Sequence, residues 1–176
     1  MADRPFNSEE PIAFFITWTC YGTWLPGDDR GWHQWGRGGT QRPNELFNRT
    51  AQSQMKEPEF LLSEDDRAVV EETVEKHCGI RGWTLHAVNA RSNHVHVVVT
   101  APSYAPGTVR DQFKAWCTRK LTPAHRGRER FWTEGASCRS INHDDDLEAA
   151  IRYAGEAQDR KHVEYQPEEQ ASESAP

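Results

Sequence analysis

Two histidines, His94 and His96, open a β-branched run in the stretch ARSNHVHVVVTAP, residues 90–102. Side chains alternate across a strand, so this pair points to one face with Cα atoms about 7 Å apart. Two imidazoles at that spacing can converge on one divalent cation. Val95, Val97 and Val99 fall on the opposite face and anchor the strand in a core. The same spacing also fits two polar residues lining a solvated sheet face, and the pair by itself does not choose between these.

The surrounding elements must place the pair. IAFFITWT (12–19) is β-branched and aromatic and predicts a buried strand. About 40 residues rich in Gly, Pro, Asn and Asp follow, and a loop of that length is usually functional or disordered. Its tryptophans Trp24, Trp32 and Trp35 favour function. Ser63 and Asp66 have capping-box spacing ahead of Val70, Val74, His77 and Cys78, which predicts a helix. GWTLHAVNA and HVHVVVTA, separated by RSN, predict a hairpin. PGTVRDQFKAWCTRKL predicts a helix with Val109, Phe113, Trp116 and Cys117 on its core stripe and Arg110 and Lys114 on another face. ERFWT predicts a short strand. NHDDDLEAAIRYAGEAQDRK predicts a last helix, acidic at its start and basic at its end, as the macrodipole favours. This order describes an α+β fold, a ferredoxin-like sandwich in which helices cover a mostly antiparallel sheet.

At 176 residues the chain suits one domain with a proper core. The expected boundaries are an N-terminal tail at 1–10, a domain at 11–163 and an acidic, disordered tail at 164–176. No apolar run reaches the roughly 18–20 residues of a membrane span, and no basic segment precedes a long apolar core at the N-terminus. Cys20, Cys78, Cys117 and Cys138 are scattered, which suits reduced thiols in the cytoplasm rather than a disulfide scaffold or zinc site. The net charge of −6 is unevenly spread. Residues 164–176 hold four glutamates and no base, whereas residues 110–139 hold eight bases against three acids, a local excess of five. Local patches rather than totals attract phosphate.

Two other phosphate or metal motifs fail on the histidine stretch. A histidine-triad hydrolase needs a third histidine where Val98 stands, and a cupin needs a glutamate that VVVTAPSY lacks. By contrast, NHVHVVV resembles the histidine-hydrophobic-histidine core of the HUH single-strand nucleases. More narrowly it is similar to the REP-associated tyrosine transposases, relatives of the insertion-sequence 200-like transposases. Three further segments follow the family's order: TWTCYGTWLPGD, FKAWCTRKL and RFWTEGASCRSI…LEAAIRYAGEAQ. The resemblance runs from about residue 12 to residue 160. Any one segment is weak, and four in order are strong.

The resemblance implies a divalent ion, Mg²⁺ or Mn²⁺, on His94 and His96, a tyrosine nucleophile on the last helix, and single-stranded DNA beside a hairpin as substrate, in a nucleoid-associated cytoplasmic protein. At about 100° per residue, Leu147, Ala150, Ile151 and Ala154 share one stripe about 100° wide, and Tyr153 lies about 120° from Leu147, on the flank. The resemblance makes Tyr153 the nucleophile over Tyr21, Tyr104 and Tyr165, giving a 5′-phosphotyrosine and a 3′-OH. Many family members carry Gln or Asn four residues after the tyrosine, and this chain has Ala157 there. Gln158 is the preferred third ligand, with Glu156 as the alternative. Arg110, Lys114, Arg119 and Lys120 are candidate phosphate contacts. Trp24, Trp32 and Trp35 are candidates for stacking on bases, although a core role fits each equally well.

Three readings compete. The first is the metal-dependent tyrosine transposase; the second is a catalytically inactive DNA-hairpin binding protein of the same fold, motivated by Ala157; the third is a phosphohydrolase indifferent to DNA. With one tyrosine per chain, two cleavages need two chains or two successive events, so a homodimer and a monomer both stay open.

Overall fold

The computed structural model describes residues 10–34 and 38–156. Its elements in chain order are β1 (Ala13–Thr19), α1 (Glu45–Ser53), α2 (Glu64–Arg81), β2 (Thr84–Ala90), β3 (His94–Thr100), α3 (Pro106–Leu121), β4 (Ser137–Ile141) and α4 (Asp144–Glu156). The strands form one antiparallel sheet in the order β2-β3-β1-β4. With α2 between β1 and β2 and α3 between β3 and β4, this is the ferredoxin-like arrangement expected from the sequence. No helix among the described residues is long and apolar enough to cross a membrane.

The sheet is buried on both faces. On one, Phe14, Ile16, Trp18, Val95, Val97 and Val99 pack with Val70 and Val74 of α2 and Val109 and Phe113 of α3. On the other, Ala13, Phe15, Val98 and Ile141 pack with Leu147, Ala150, Ile151 and Ala154 of α4, the stripe that helical periodicity predicts. Val95, Val97 and Val99 are 0 % exposed, and burying each contributes roughly 1.5–3 kcal/mol. A one-residue slip of β3 would exchange the valines with the histidines, so this burial fixes the register of the pair.

The ends of α2 follow from local chemistry. Ser63 Oγ accepts from the Asp66 N–H at 3.2 Å, and Asp66 Oδ2 accepts from the Ser63 N–H at 3.0 Å. Gly82, at φ +67°, closes the C-terminus in the left-handed region. Asp66 is buried and also accepts from His125 Nε2 at 2.8 Å. Burial opposes ionisation of this carboxyl, but the His125 and Ser63 hydrogen bonds outweigh it and hold its pKa below the ordinary value.

Residues 24–56 form a second compact unit, separate from the unit made by residues 10–23 and 57–156. The sequence predicts a long loop here, functional or disordered. The segment instead contains α1, capped by Asn44, whose side chain accepts from the Phe47 N–H at 3.0 Å. None of the residues of α1 is buried. Gly27 sits at φ +82° with its backbone against Asn44 and Asn48, a place no side chain could share.

A second correction concerns ERFWT (129–133). Of this segment only Trp132 makes a bridge, to Cys20, and the fourth strand lies at Ser137–Ile141. The pairing is brief: the Tyr21 N–H donates to the Phe131 carbonyl at 2.9 Å and the Thr133 N–H to the Thr19 carbonyl at 3.0 Å, while Phe131 and Trp132 turn into the core. The expected basic end of the last helix, and the tails at 1–9 and 164–176 with Tyr165, lie outside the described residues.

Candidate active site

The register places two rows of side chains beneath α4. Ser137, Thr17, His96 and Asn89 line up across β4, β1, β3 and β2, and Arg139, Phe15, Val98 and Ala87 form the next row. His94 lies opposite Thr19. The histidines are only 8 % and 6 % exposed, so they do not line a wet sheet face. Tyr153 of α4 lies against His96, and a buried imidazole needs partners.

Among the described residues each histidine has a partner at Nδ1. His94 Nδ1 donates to Asn93 Oδ1 at 2.5 Å, and His96 Nδ1 lies 2.7 Å from Thr17 Oγ1. A partner at Nδ1 orients each ring, the arrangement in which an outer group holds an imidazole able to ligate a cation through Nε2. The two rings lie 4.6 Å apart between centroids, at 73°. This donor pair fits a divalent ion.

Tyr153 closes the group. Its ring lies 5.7 Å from the His96 ring and 5.8 Å, edge on, from Phe15, and the residue is 50 % exposed. Phe15 in turn stacks on His96 at 5.5 Å and 27°. The small residues Ala150 and Ala154 bring α4 close to the sheet, and Asn89 Nδ2 donates to the Ala154 carbonyl at 2.7 Å. This bond ties the turn that carries Tyr153 to β2. Tyr104, by contrast, packs on Trp83, and Tyr21 sits under Arg130.

The other candidates are placed differently. Glu156 is exposed at the end of α4, and Gln158 lies outside the described residues. Among the described residues no group of three His, Cys, Asp or Glu side chains is arranged to hold a metal. The bases of α3 belong to the helix on the opposite face of the sheet from the histidines. Lys114 is half-buried, and its Nζ donates to the Thr133 and Gly135 carbonyls at 2.7 and 3.0 Å. Burial pulls its pKa down, and its job is to tie α3 to the segment before β4. Arg110 pairs with Asp111 at 2.8 Å, a bond that raises the arginine pKa and lowers that of the aspartate. Arg119 lies 4.7 Å over the exposed Trp116 ring, and Lys120 is exposed.

Trp24 and Trp32 hold the 24–56 unit together. Trp24 Nε1 donates to the Gly31 carbonyl at 2.7 Å, while Trp32 Nε1 donates to the Arg42 carbonyl at 3.0 Å and its ring stacks on Phe47. Trp35 lies outside the described residues.

Phe15, Thr17, Asn89, Asn93 and Arg139 were not expected at the site. A polar threonine inside an otherwise apolar strand, IAFFITWT, was the one signal available for Thr17. Asn93 adjoins His94 in the chain, and Phe15, Asn89 and Arg139 emerge only from the folded sheet.

The family model described as Transposase IS200 like matches residues 54–156, more than half of the chain. Among solved structures, a REP-associated tyrosine transposase bound to a REP hairpin aligns at 14 % identity and TM-score 0.45, covering 88 % of this chain and 70 % of that one. A candidate transposase from Deinococcus radiodurans R1 aligns at 10 % identity and TM-score 0.47, covering 87 % and 98 %. None of the curated proteins compared matches the chain.

Proposed function

Because the chain belongs to the IS200-like transposase family, we propose that it is a metal-dependent tyrosine transposase that cleaves and rejoins single-stranded DNA beside a hairpin. The observation that carries this reading is the contact between Tyr153 and His96, a half-exposed phenol against a buried, oriented imidazole. His94 and His96 would hold Mg²⁺ or Mn²⁺, with Gln158 or Glu156 as the oxygen donor. The bound ion would supply Lewis-acid stabilisation of the scissile phosphate.

The phenol has an ordinary pKa of about 10, so it must lose its proton as it attacks. Its oxygen bonds to phosphorus, the bond to the 3′ oxygen breaks, and that oxygen takes up a proton as a 3′-OH. The 5′-phosphotyrosine keeps the reactivity of a diester, so a 3′-OH can reverse the step and join strands without ATP. Arg119 and Lys120 are the exposed bases of α3 available to bind phosphates away from the reacting linkage. Arg110 and Lys114 have protein partners to give up first. Trp24, Trp32 and Trp35 remain candidate stacking groups, and a second chain would supply a second tyrosine.

The test is incubation with labelled single-stranded DNA carrying a hairpin and flanks from around the protein's own gene, in Mn²⁺ or EDTA. A metal-dependent band at the mass of protein plus DNA on a denaturing gel, absent in Tyr153→Phe, is the expected result. DNA retention on a native gel with no covalent species under any metal would leave a hairpin-binding protein. Hydrolysis of small diesters unaffected by Tyr153→Phe would leave a phosphohydrolase.

A further inference from the structure

Some arginines have a carboxylate partner: Arg30, Arg49, Arg110 and Arg128 each pair with one. Others, Arg139 beside the site among them, have none among the described residues. Arg139 is exposed, and its Cζ lies 5.6 Å over the Phe15 ring. Phe15 is the residue directly across β1 from it, and the same ring contacts His96 and Tyr153. One aromatic side chain therefore braces an uncompensated guanidinium, a site histidine and the site tyrosine on one face of the sheet.

From this juxtaposition we infer that Arg139 is the phosphate-binding residue of the reacting linkage, with Phe15 as its positioning residue. The inference rests on the reading of Tyr153 as nucleophile. A guanidinium presents a planar fork that matches two phosphate oxygens, and it stays charged at any working pH. As the phenolic oxygen bonds to phosphorus and the bond to the 3′ oxygen breaks, negative charge grows on the two non-bridging oxygens. Arg139 takes no proton in this step; its charge and N–H groups stabilise those oxygens. Its counterpart on α3, Arg110, is committed to Asp111 on the other side of the sheet, whereas Arg139 shares its face with the histidines.

The experiment compares wild type, Arg139→Ala and Arg139→Lys for the rate of covalent adduct on hairpin DNA. It uses a normal diester and then a neutral methylphosphonate at the cleaved linkage. Arg139→Ala is expected to lose about 100-fold or more on the diester and less than about 10-fold on the methylphosphonate, which has no second anionic oxygen for the fork to bind. Arg139→Lys, which keeps charge but not the fork, is expected in between. A rate within about threefold of wild type, or an equal loss on both linkages, overturns the inference, since a merely structural residue is blind to the charge of the linkage. If wild type forms no adduct, the proposed function fails first. Arg139 is then judged by binding of a short single-stranded oligonucleotide. A salt slope shallower by about 0.7 in Arg139→Ala supports a phosphate contact, and an unchanged slope overturns it.

Discussion

Replacing Asn89 tests whether α4 is held in place by the bond to Ala154. Asn89→Ala removes a 2.7 Å hydrogen bond and leaves the Ala154 carbonyl without that partner. Losing the bond and stranding a part-buried acceptor costs about 1–3 kcal/mol. With a urea slope of about 2 kcal/mol per M, the unfolding midpoint should fall by about 0.5–1.5 M. Asn89→Asp makes the sharper comparison. It keeps size and shape but sets a carboxylate against a carbonyl oxygen, and a charged group left unpaired in a part-buried place costs more than a simple loss of the bond. The expected order of stability at neutral pH is Asn, then Ala, then Asp. Adduct formation should fall further than stability does, because about 1 Å of displacement at Tyr153 can lower a rate about 100-fold. An aspartate variant more stable than the alanine variant, or an alanine variant with an unshifted midpoint and full adduct formation, would refute the role assigned to this bond.

Three other perturbations have equally definite outcomes. Thr17→Val removes the oxygen beside His96 Nδ1; the Mn²⁺ concentration for half-maximal adduct should rise about 10- to 100-fold, with a parallel weakening of Mn²⁺ binding by electron paramagnetic resonance. Lys114→Ala strands the Thr133 and Gly135 carbonyls and should lower stability by about 1–3 kcal/mol in urea titrations, while leaving the salt dependence of DNA binding unchanged; Lys120→Ala should do the reverse. Asp66 has a lowered folded pKa, so its stabilisation is fully present above the ordinary value of 3.8 and is lost as pH falls through the folded value. Asp66→Ala should therefore destabilise by about 1–2 kcal/mol at neutral pH through loss of the capping box, and its deficit against wild type should shrink only below about pH 3.8 in thermal melts.

Where periodicity carried the information, the sequence was a good guide. Alternation in HVHVVVT separated the histidines from the valines, and the three-four spacing of Leu147, Ala150, Ile151 and Ala154 set Tyr153 on the flank of its helix. What it did not carry was register. Thr17 meets His96, Arg139 meets Phe15, and Asn89 meets a helix carbonyl only because β1 lies between β3 and β4, a relation no local window contains. α1 escaped notice because it is only nine residues long and sits in a stretch rich in Gly, Pro and Asn. The charge on Lys114 invited a phosphate role, yet its acceptors are carbonyls 19 and 21 residues further on. The histidines were read as metal ligands or wet-face residues, and their burial rejects the second of these.

The placement of β1 also sets a timetable. This strand is made first but pairs only with β3 and β4, and the Thr17 to His96 bond spans 79 residues. The bond from Asn89 to the helix bearing Tyr153 spans another 65. Contacts of such sequence separation form late, after the local helices and the β2–β3 hairpin. A growing chain can therefore fold its hairpin and bury its valines while the phenol is still unmade. The site cannot assemble on a truncated product, so an interrupted synthesis yields histidines without a nucleophile.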